Sequence, residues 1–164
     1  MDLVALEEIR RLKYRYLRCV DEKRWDEFSD TLTPDATAHY GTPTYGAPLS
    51  LAGRDEIVAF MRKNLGPEII TVHLAGQPEI EIEGGTATGT WAFQDTVIAT
   101  KYQMVVHGAA FYRDRYLRCP DGAWRIAHTG YRRTYEATLS LADLPSFRLT
   151  SNRWADAASQ PTTG

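Results

Sequence analysis

The chain has little cysteine, no long apolar run and no block of charge of one sign, and each shortage excludes a class of protein. Its two cysteines, Cys19 and Cys119, stand far apart with neither a CxxC pair nor paired histidine spacing. Neither a disulfide framework nor a metal site is therefore expected. No segment approaches the roughly 20 apolar residues that a membrane-crossing helix needs, and the opening MDLVALEEIRRLKYRY is charged within its first turns, unlike a secretory signal. No membrane partner is expected, and the location is read as cytoplasmic. Nineteen Lys and Arg against twenty-one Asp and Glu leave a formal charge of −2, interspersed along the chain. Nucleic acid is thereby not an expected partner.

What is present suits one packed domain. With 164 residues, 43% of them hydrophobic, the chain can bury a proper core. Leu3, Leu6, Ile9, Leu12, Tyr16, Leu17 and Val20 recur at three- and four-residue steps with charged residues between them, which predicts an amphipathic helix over 2–20. A second helix is expected over 25–32, where Trp25, Phe28 and Leu32 share a face and Pro34 follows. Short strands at 36–40 and 49–52 flank the Gly- and Pro-rich stretch 41–48. Gly53-Arg54-Asp55 opens a third helix that Gly66-Pro67 ends.

From Ile69 onward the pattern changes to runs rich in Ile, Thr, Val, Tyr, Phe and Trp, broken at Glu83-Gly84-Gly85, near Lys101-Tyr102 and at Pro120-Asp121-Gly122. They read as four long antiparallel strands joined by hairpins. Strands this long should bend, and Gly89, Gly108 and Gly130 are candidate positions for bulges. The expected fold class is α+β, with a curved antiparallel sheet wrapped around the N-terminal helices as a cone enclosing a pocket. The domain is assigned to residues 1–150. Residues 151–164 are read as a partly disordered tail, small and polar from Ala155 onward.

Several polar residues could carry chemistry. Asp21 falls at the end of the first helix, where a carboxylate opposes the helix dipole at a cost of a few tenths to about 1 kcal/mol. Either it serves another purpose or it caps the second helix. His73 lies in Ile69-Ile70-Thr71-Val72-His73-Leu74-Ala75, whose alternation puts it on the face of Thr71 and opposite Val72 and Leu74. A neutral imidazole on an inner face is an effective base near neutral pH when a carboxylate fixes its tautomer. His107 shares a face with Ala109 and Phe111, while Gly108, Ala110, Tyr112 and Asp114 take the other, so only one set can line the hollow. His39 and His128 are read as surface or packing residues. Tyr16 occupies a helix face neighbouring that of Asp21, as a core or a site residue. Trp91, Phe93, Tyr102, Phe111 and Tyr131 suit a flat hydrophobic ligand, or equally a core or subunit interface.

The order of a helix ending in Tyr16-x4-Asp21, a strand with Thr71-Val72-His73, then Gly108-x3-Tyr112-x-Asp114-x-Tyr116 and Asp121-Gly122-x-Trp124-Arg125-Ile126 resembles the SnoaL-like branch of the nuclear transport factor two superfamily. The likeness covers roughly residues 2–136. In this branch scytalone dehydratase, bile-acid dehydratase and hexachlorocyclohexane dehydrochlorinase use an Asp at the end of the first helix and a His on the first long strand as a dyad. Asp21 and His73 fall on those positions, and the resemblance implies that they are neighbours in the pocket. Tyr16 matches a site tyrosine of the bile-acid dehydratase relatives, where the dehydrochlorinase has a lysine. Where the dehydrochlorinase has a pocket arginine on the last strand, this chain is read as having Thr129, followed by Gly130-Tyr131-Arg132-Arg133.

The function so implied is a small-molecule lyase, a dehydratase acting on a hydrophobic oxygenated substrate of steroid or polyketide type. His73 would remove a proton next to a carbonyl, Asp21 would orient the imidazole, and Tyr16 would hydrogen-bond the carbonyl or leaving oxygen. His107, Phe111, Thr129, Trp91 and Tyr131 are the expected substrate-binding residues. No cofactor and no metal are called for. A ketosteroid isomerase-like or polyketide cyclase-like enzyme and a non-catalytic binding or assembly module are the alternatives. The resemblance further implies a homo-oligomer, a trimer before a dimer, formed through the outer face of the sheet with Tyr112 and Tyr116 pointing outward.

Overall fold

The computed structural model describes residues 2–43 and 46–158. Helix α1 (Leu3–Asp21) begins at Asp2, whose Oδ1 accepts the N–H groups of Val4 at 3.1 Å and Ala5 at 3.0 Å. Such a cap satisfies donors that a helix start leaves orphaned. Its buried stripe of Ile9, Leu12, Tyr16, Leu17 and Val20 packs into the hollow of the sheet. Helix α2 (Trp25–Asp30) ends two residues before the sequence suggests, because Leu32 already opens strand β1 (Leu32–Gly41). That strand absorbs Pro34 where its register with the last strand shifts, between Leu32 and Thr37. Strand β2 (Leu49–Ala52) and helix α3 (Arg54–Asn64) follow. Thr44 and Tyr45, inside the expected Gly- and Pro-rich loop, lie outside the described residues.

Four long strands complete the sheet: β3 (Ile69–Glu83), β4 (Thr86–Ala99), β5 (Met104–Arg118) and β6 (Trp124–Ser140). The strand order is β2-β1-β6-β5-β4-β3. Every pairing is antiparallel except β1 with β6, which is parallel and joins the two halves of the chain. The sheet is thus curved and α+β as expected, apart from that one parallel seam.

The bends do not fall at Gly89, Gly108 or Gly130, where the register does not shift. They fall at Gly76-Gln77-Pro78-Glu79 in β3, where Gln77 has φ 49°, and at the extra residues Ala127 and Thr134 of β6. The glycines mark close approach instead. A Cβ at Gly89 would lie 3.0 Å from Trp91 Nε1, and one at Gly130 would lie 2.9 Å from the His39 carbonyl.

Alternation sorts β5 decisively. Gly108, Ala110, Tyr112, Asp114 and Tyr116 face the helices and are buried, whereas His107, Ala109 and Phe111 face away. Tyr112 and Tyr116 are therefore core residues and not the outward pair expected. The outer face carries Val72, Leu74, Phe111 and Tyr135, all exposed.

Under the helices lies a buried polar chain. Lys13 Nζ sits 2.8 Å from Asp114 Oδ2 with both side chains fully buried. The same ammonium stands 3.3 Å from the Tyr112 ring centroid. Asp114 Oδ2 accepts the Tyr116 hydroxyl at 2.8 Å, and that oxygen accepts the Trp91 indole N–H at 2.8 Å. Burial pulls the Lys13 pKa down, opposed by the charge and hydrogen bond of Asp114.

Toward the C-terminus, Arg153–Ala158 forms a short helix α4 where the composition suggests a tail. Asn152 anchors it by donating from Nδ2 to the Pro67 carbonyl at 2.9 Å. Residues 159–164 of that expected tail lie outside the described residues. Among the described residues no helix is long and apolar enough to cross a membrane.

Removing one partner of a buried pair strands the other charge. Lys13→Met and Asp114→Asn are each expected to cost about 3–5 kcal/mol in urea unfolding, and the double variant less than their sum.

Candidate active site

Between α1, α3 and the inner face of the long strands lies a cavity of about 190 Å³. Leu17, Val20, Phe60, Met61, Val97 and Val106 give it apolar walls. Into it project a few polar groups from several elements: Tyr16 of α1, Tyr40 of β1, Thr71 and His73 of β3, Asp95 of β4, and Tyr131 and Arg133 of β6.

The start of β3 grips the end of α1 through one carboxylate. Asp21 Oδ1 accepts the Thr71 hydroxyl at 2.8 Å and faces His73 Nδ1 at 2.6 Å. Its Oδ2 accepts the backbone N–H of His73 at 2.9 Å. The helix-cap alternative for Asp21 is overturned, since α2 starts from Arg24 with no side-chain cap bond. An ionised carboxylate can only accept, so Nδ1 carries a proton, and in the neutral ring the lone pair then falls to Nε2. Asp21 itself does not line the cavity; it stands behind His73.

Tyr16 meets Tyr40 hydroxyl to hydroxyl at 2.8 Å. One of the two donates to the other, which leaves one O–H for a ligand. Tyr131 bonds Thr42 Oγ1 at 2.6 Å, and its ring packs 5.2 Å from that of Tyr112 and 5.0 Å from that of Phe93. Burial, before any other cause, raises the pKa of Tyr16, Tyr40 and Tyr112 well above the ordinary phenol value. At neutral pH these groups are un-ionised donors.

Arg133 escaped the sequence reading. Its Nη2 donates to Asp95 Oδ2 at 2.8 Å, its Nη1 to Oδ1 of the same carboxylate, and its Nε lies 3.3 Å from Glu136 Oε2. The guanidinium carbon stands 5.3 Å from the Tyr131 ring centroid. Two signals pointed to it: the parity it shares with Tyr131, and Gly108 on the facing strand. A Cβ at Gly108 would sit 2.8 Å from Arg133 Cζ and 3.1 Å from Asp95 Oδ1. The bulge at Thr134 hid its partner by turning Glu136 inward as well, three residues on.

Four residues expected to contact a ligand lie outside the cavity lining. His107 and Phe111 lie on the outer face of β5, where His107 Nδ1 meets Thr96 Oγ1 at 3.1 Å. Trp91 is fully buried in the polar chain beneath the cavity. Thr129 is fully buried as well and is not part of the lining, whereas Arg133 of the same strand is. Tyr131 does line the cavity. Among the described residues no group of three or more His, Cys, Asp or Glu could hold a metal ion.

The raised tyrosines give a pH dependence of known sign. An unfolded tyrosine titrates near about 10, and the folded state holds the proton more tightly. The stability this contributes is complete below that pH and is lost as pH rises above it. Ultraviolet titration is expected to show Tyr16, Tyr40, Tyr112 and Tyr116 ionising together with loss of the far-ultraviolet circular dichroism.

An uncharacterised protein of Mycobacterium tuberculosis strain H37Rv is 30% identical over 124 residues, covering 73% of this chain and 78% of the relative. The hexachlorocyclohexane dehydrochlorinase LinA-type3 of Novosphingobium barchaimii superposes with a TM-score of 0.72 at 18% identity, covering 84% of this chain and 91% of that one. A scytalone dehydratase-like protein of Novosphingobium aromaticivorans gives 0.72 at 16% identity, covering 92% of this chain and 93% of that one. At such identities these two structures establish a shared nuclear transport factor two-like fold. The SnoaL-like domain matches residues 1–130, most of the chain, and the protein belongs to that family.

Proposed function

We propose that the protein is a small-molecule lyase, a dehydratase acting on a hydrophobic oxygenated substrate, with His73 as general base. The observation that carries this reading is the 2.6 Å bond between Asp21 and His73 Nδ1, made beside an apolar cavity. That bond fixes the tautomer that leaves Nε2 basic, and it stabilises the imidazolium that forms when Nε2 takes a proton.

The steps follow from the chemistry of a β-hydroxy carbonyl compound. His73 Nε2 removes the proton next to the carbonyl, and the electron pair moves onto the carbonyl oxygen, where the spare O–H of the Tyr16–Tyr40 pair receives the developing charge. Collapse of the enolate expels the β-hydroxyl, which takes the proton back from the imidazolium and leaves as water. A positioned base contributes about 10²- to 10⁴-fold, and a preorganised donor at an oxyanion about 10²- to 10³-fold. Rings such as Tyr112 and Tyr131 along the wall suit a flat, steroid- or polyketide-like skeleton. The same enolate could instead be reprotonated elsewhere or close a ring, as in an isomerase or cyclase.

His73→Ala is expected to lower kcat by about 10²- to 10⁴-fold on β-hydroxy ketones, while ligand binding persists. Asp21→Asn is expected to lower kcat without abolishing it. Mass spectrometry of the product should show loss of one water. Turnover unchanged in His73→Ala would sink the reading, and an isomer of unchanged mass would replace dehydration by isomerisation.

We also propose that copies of the chain associate through the outer face of the sheet, a trimer before a dimer. Support comes from Leu74 of β3 and Tyr135 of β6, exposed at opposite ends of one row across four strands, with Val72 and Phe111 in the neighbouring rows. Sedimentation should report an oligomer for the wild type and a monomer for Leu74→Glu/Phe111→Glu.

A further inference from the structure

We infer that the cavity selects a neutral ligand with a hydrogen-bond acceptor and rejects carboxylates, because its lining arginine is already spent on two carboxylates of the protein. The inference rests on the proposed site for its location but not on proton transfer by His73.

Among the described residues that line the cavity, Arg133 is the single Lys or Arg. A guanidinium free of acids would be a ready fork for an anionic ligand. Here the Nη1 and Nη2 side of the fork is already paired and a second acid stands beside Nε. Asp95 takes the Nη1 and Nη2 side in a bidentate pair, and Glu136 Oε2 stands 3.3 Å from Nε. The three side chains are buried, at 5% exposure for Arg133, 4% for Asp95 and 7% for Glu136. Water therefore screens little of the attraction between the guanidinium and the carboxylates that flank it.

Lys23 and Lys13, the lysines the surrounding elements supply, are engaged elsewhere. Asp21 adds a further negative charge behind His73. Lys23 donates to the Ile69 carbonyl at 2.8 Å, and its ammonium balances at most Asp21. Lys13, beyond the tyrosine floor, is committed to Asp114 at 2.8 Å. An entering carboxylate would lose its hydration and meet no uncompensated positive charge, which is the unfavourable way to bury an ion.

A neutral carbonyl faces a different balance. The N–H donors of Arg133 that the carboxylates leave unused, together with the spare hydroxyl proton of the Tyr16–Tyr40 pair, can serve its lone pairs. Asp95 and the missing side chain at Gly108 hold the guanidinium plane in place for this. Asp95 thus acts as a specificity-determining residue: it converts an anion receptor into an oriented neutral donor. The substrates implied are ketones, esters or amides in place of the corresponding acids.

The test uses two ligands of nearly equal size, 2-acetylnaphthalene and 2-naphthoate, titrated calorimetrically at neutral pH into wild type and Asp95→Asn. The wild type is expected to bind the ketone at least about tenfold more tightly than the carboxylate. Asp95→Asn, which removes that carboxylate's charge from the fork, should gain at least about tenfold for naphthoate and change little for the ketone. Glu136→Gln should shift the ratio in the same direction and stands in if the first variant does not fold. Val106→Trp, which fills the cavity, should abolish both. Equal or tighter binding of naphthoate by the wild type, no binding of either ligand, or binding that survives Val106→Trp would overturn the inference. Because binding alone is read, a His73→Ala result that removes the dehydratase reading leaves the ratio unaffected, and the reverse holds too.

Discussion

One carboxylate organises the interior. Asp21 ends α1 at the negative pole of the helix dipole, a placement worth about 0.3–1 kcal/mol against it. Three hydrogen bonds from Thr71 and His73 more than offset this, since a bond to a charged group contributes about 1.5–3 kcal/mol net. Two of these bonds involve His73, so they fix both the position of the strand and the orientation of the ring. Alternation then follows along β3, with Thr71 and His73 inside and Val72 and Leu74 outside. Register carries it sideways: His73 pairs with Asp95, Asp95 with Gly108, and Gly108 with Glu136. The row that begins at the helix end therefore finishes at the carboxylates that hold Arg133.

A second layer of polarity lies below the first and is separated from it by rings. Tyr112 presents one face to the cavity region and the other to the Lys13 ammonium, which Asp114 neutralises. The Lys13 and Asp114 charges are paired away from the cavity, and the tyrosine hydroxyls above them stay protonated because burial disfavours the phenolate. The cavity thus offers neutral donors on one side and a carboxylate-backed imidazole on another. This division suits chemistry in which charge develops only during reaction.

Much of this was legible in the residues. The helical period gave α1 and its buried stripe, and the change to long β-rich runs at Ile69 gave the four-stranded antiparallel block. Strand parity placed His73 with Thr71. The family motifs, and not periodicity, brought Asp21 to it, because residues 52 apart in sequence become neighbours only through the fold. Gly89, Gly108 and Gly130 were misread as bends. A glycine signals either unusual backbone or a close neighbour, and the neighbour becomes visible only in three dimensions.

The sequence by itself determined the alternation of β4 and β5, the amphipathic face of α1 and the family of the fold, since these depend on local geometry and on motifs that neighbouring residues carry. It did not determine which face of β5 turns inward. Alternation defines two sets of residues but not the sign, and the choice went to Tyr112 and Asp114 over His107 and Phe111 because Lys13 of α1 needs their carboxylate and ring. The parallel seam between β1 and β6, the bulges at Ala127 and Thr134, and the pairing of Arg133 with Asp95 were likewise decided by tertiary structure. Each depends on a partner far along the chain, and burial makes that partner's charge or shape the deciding term.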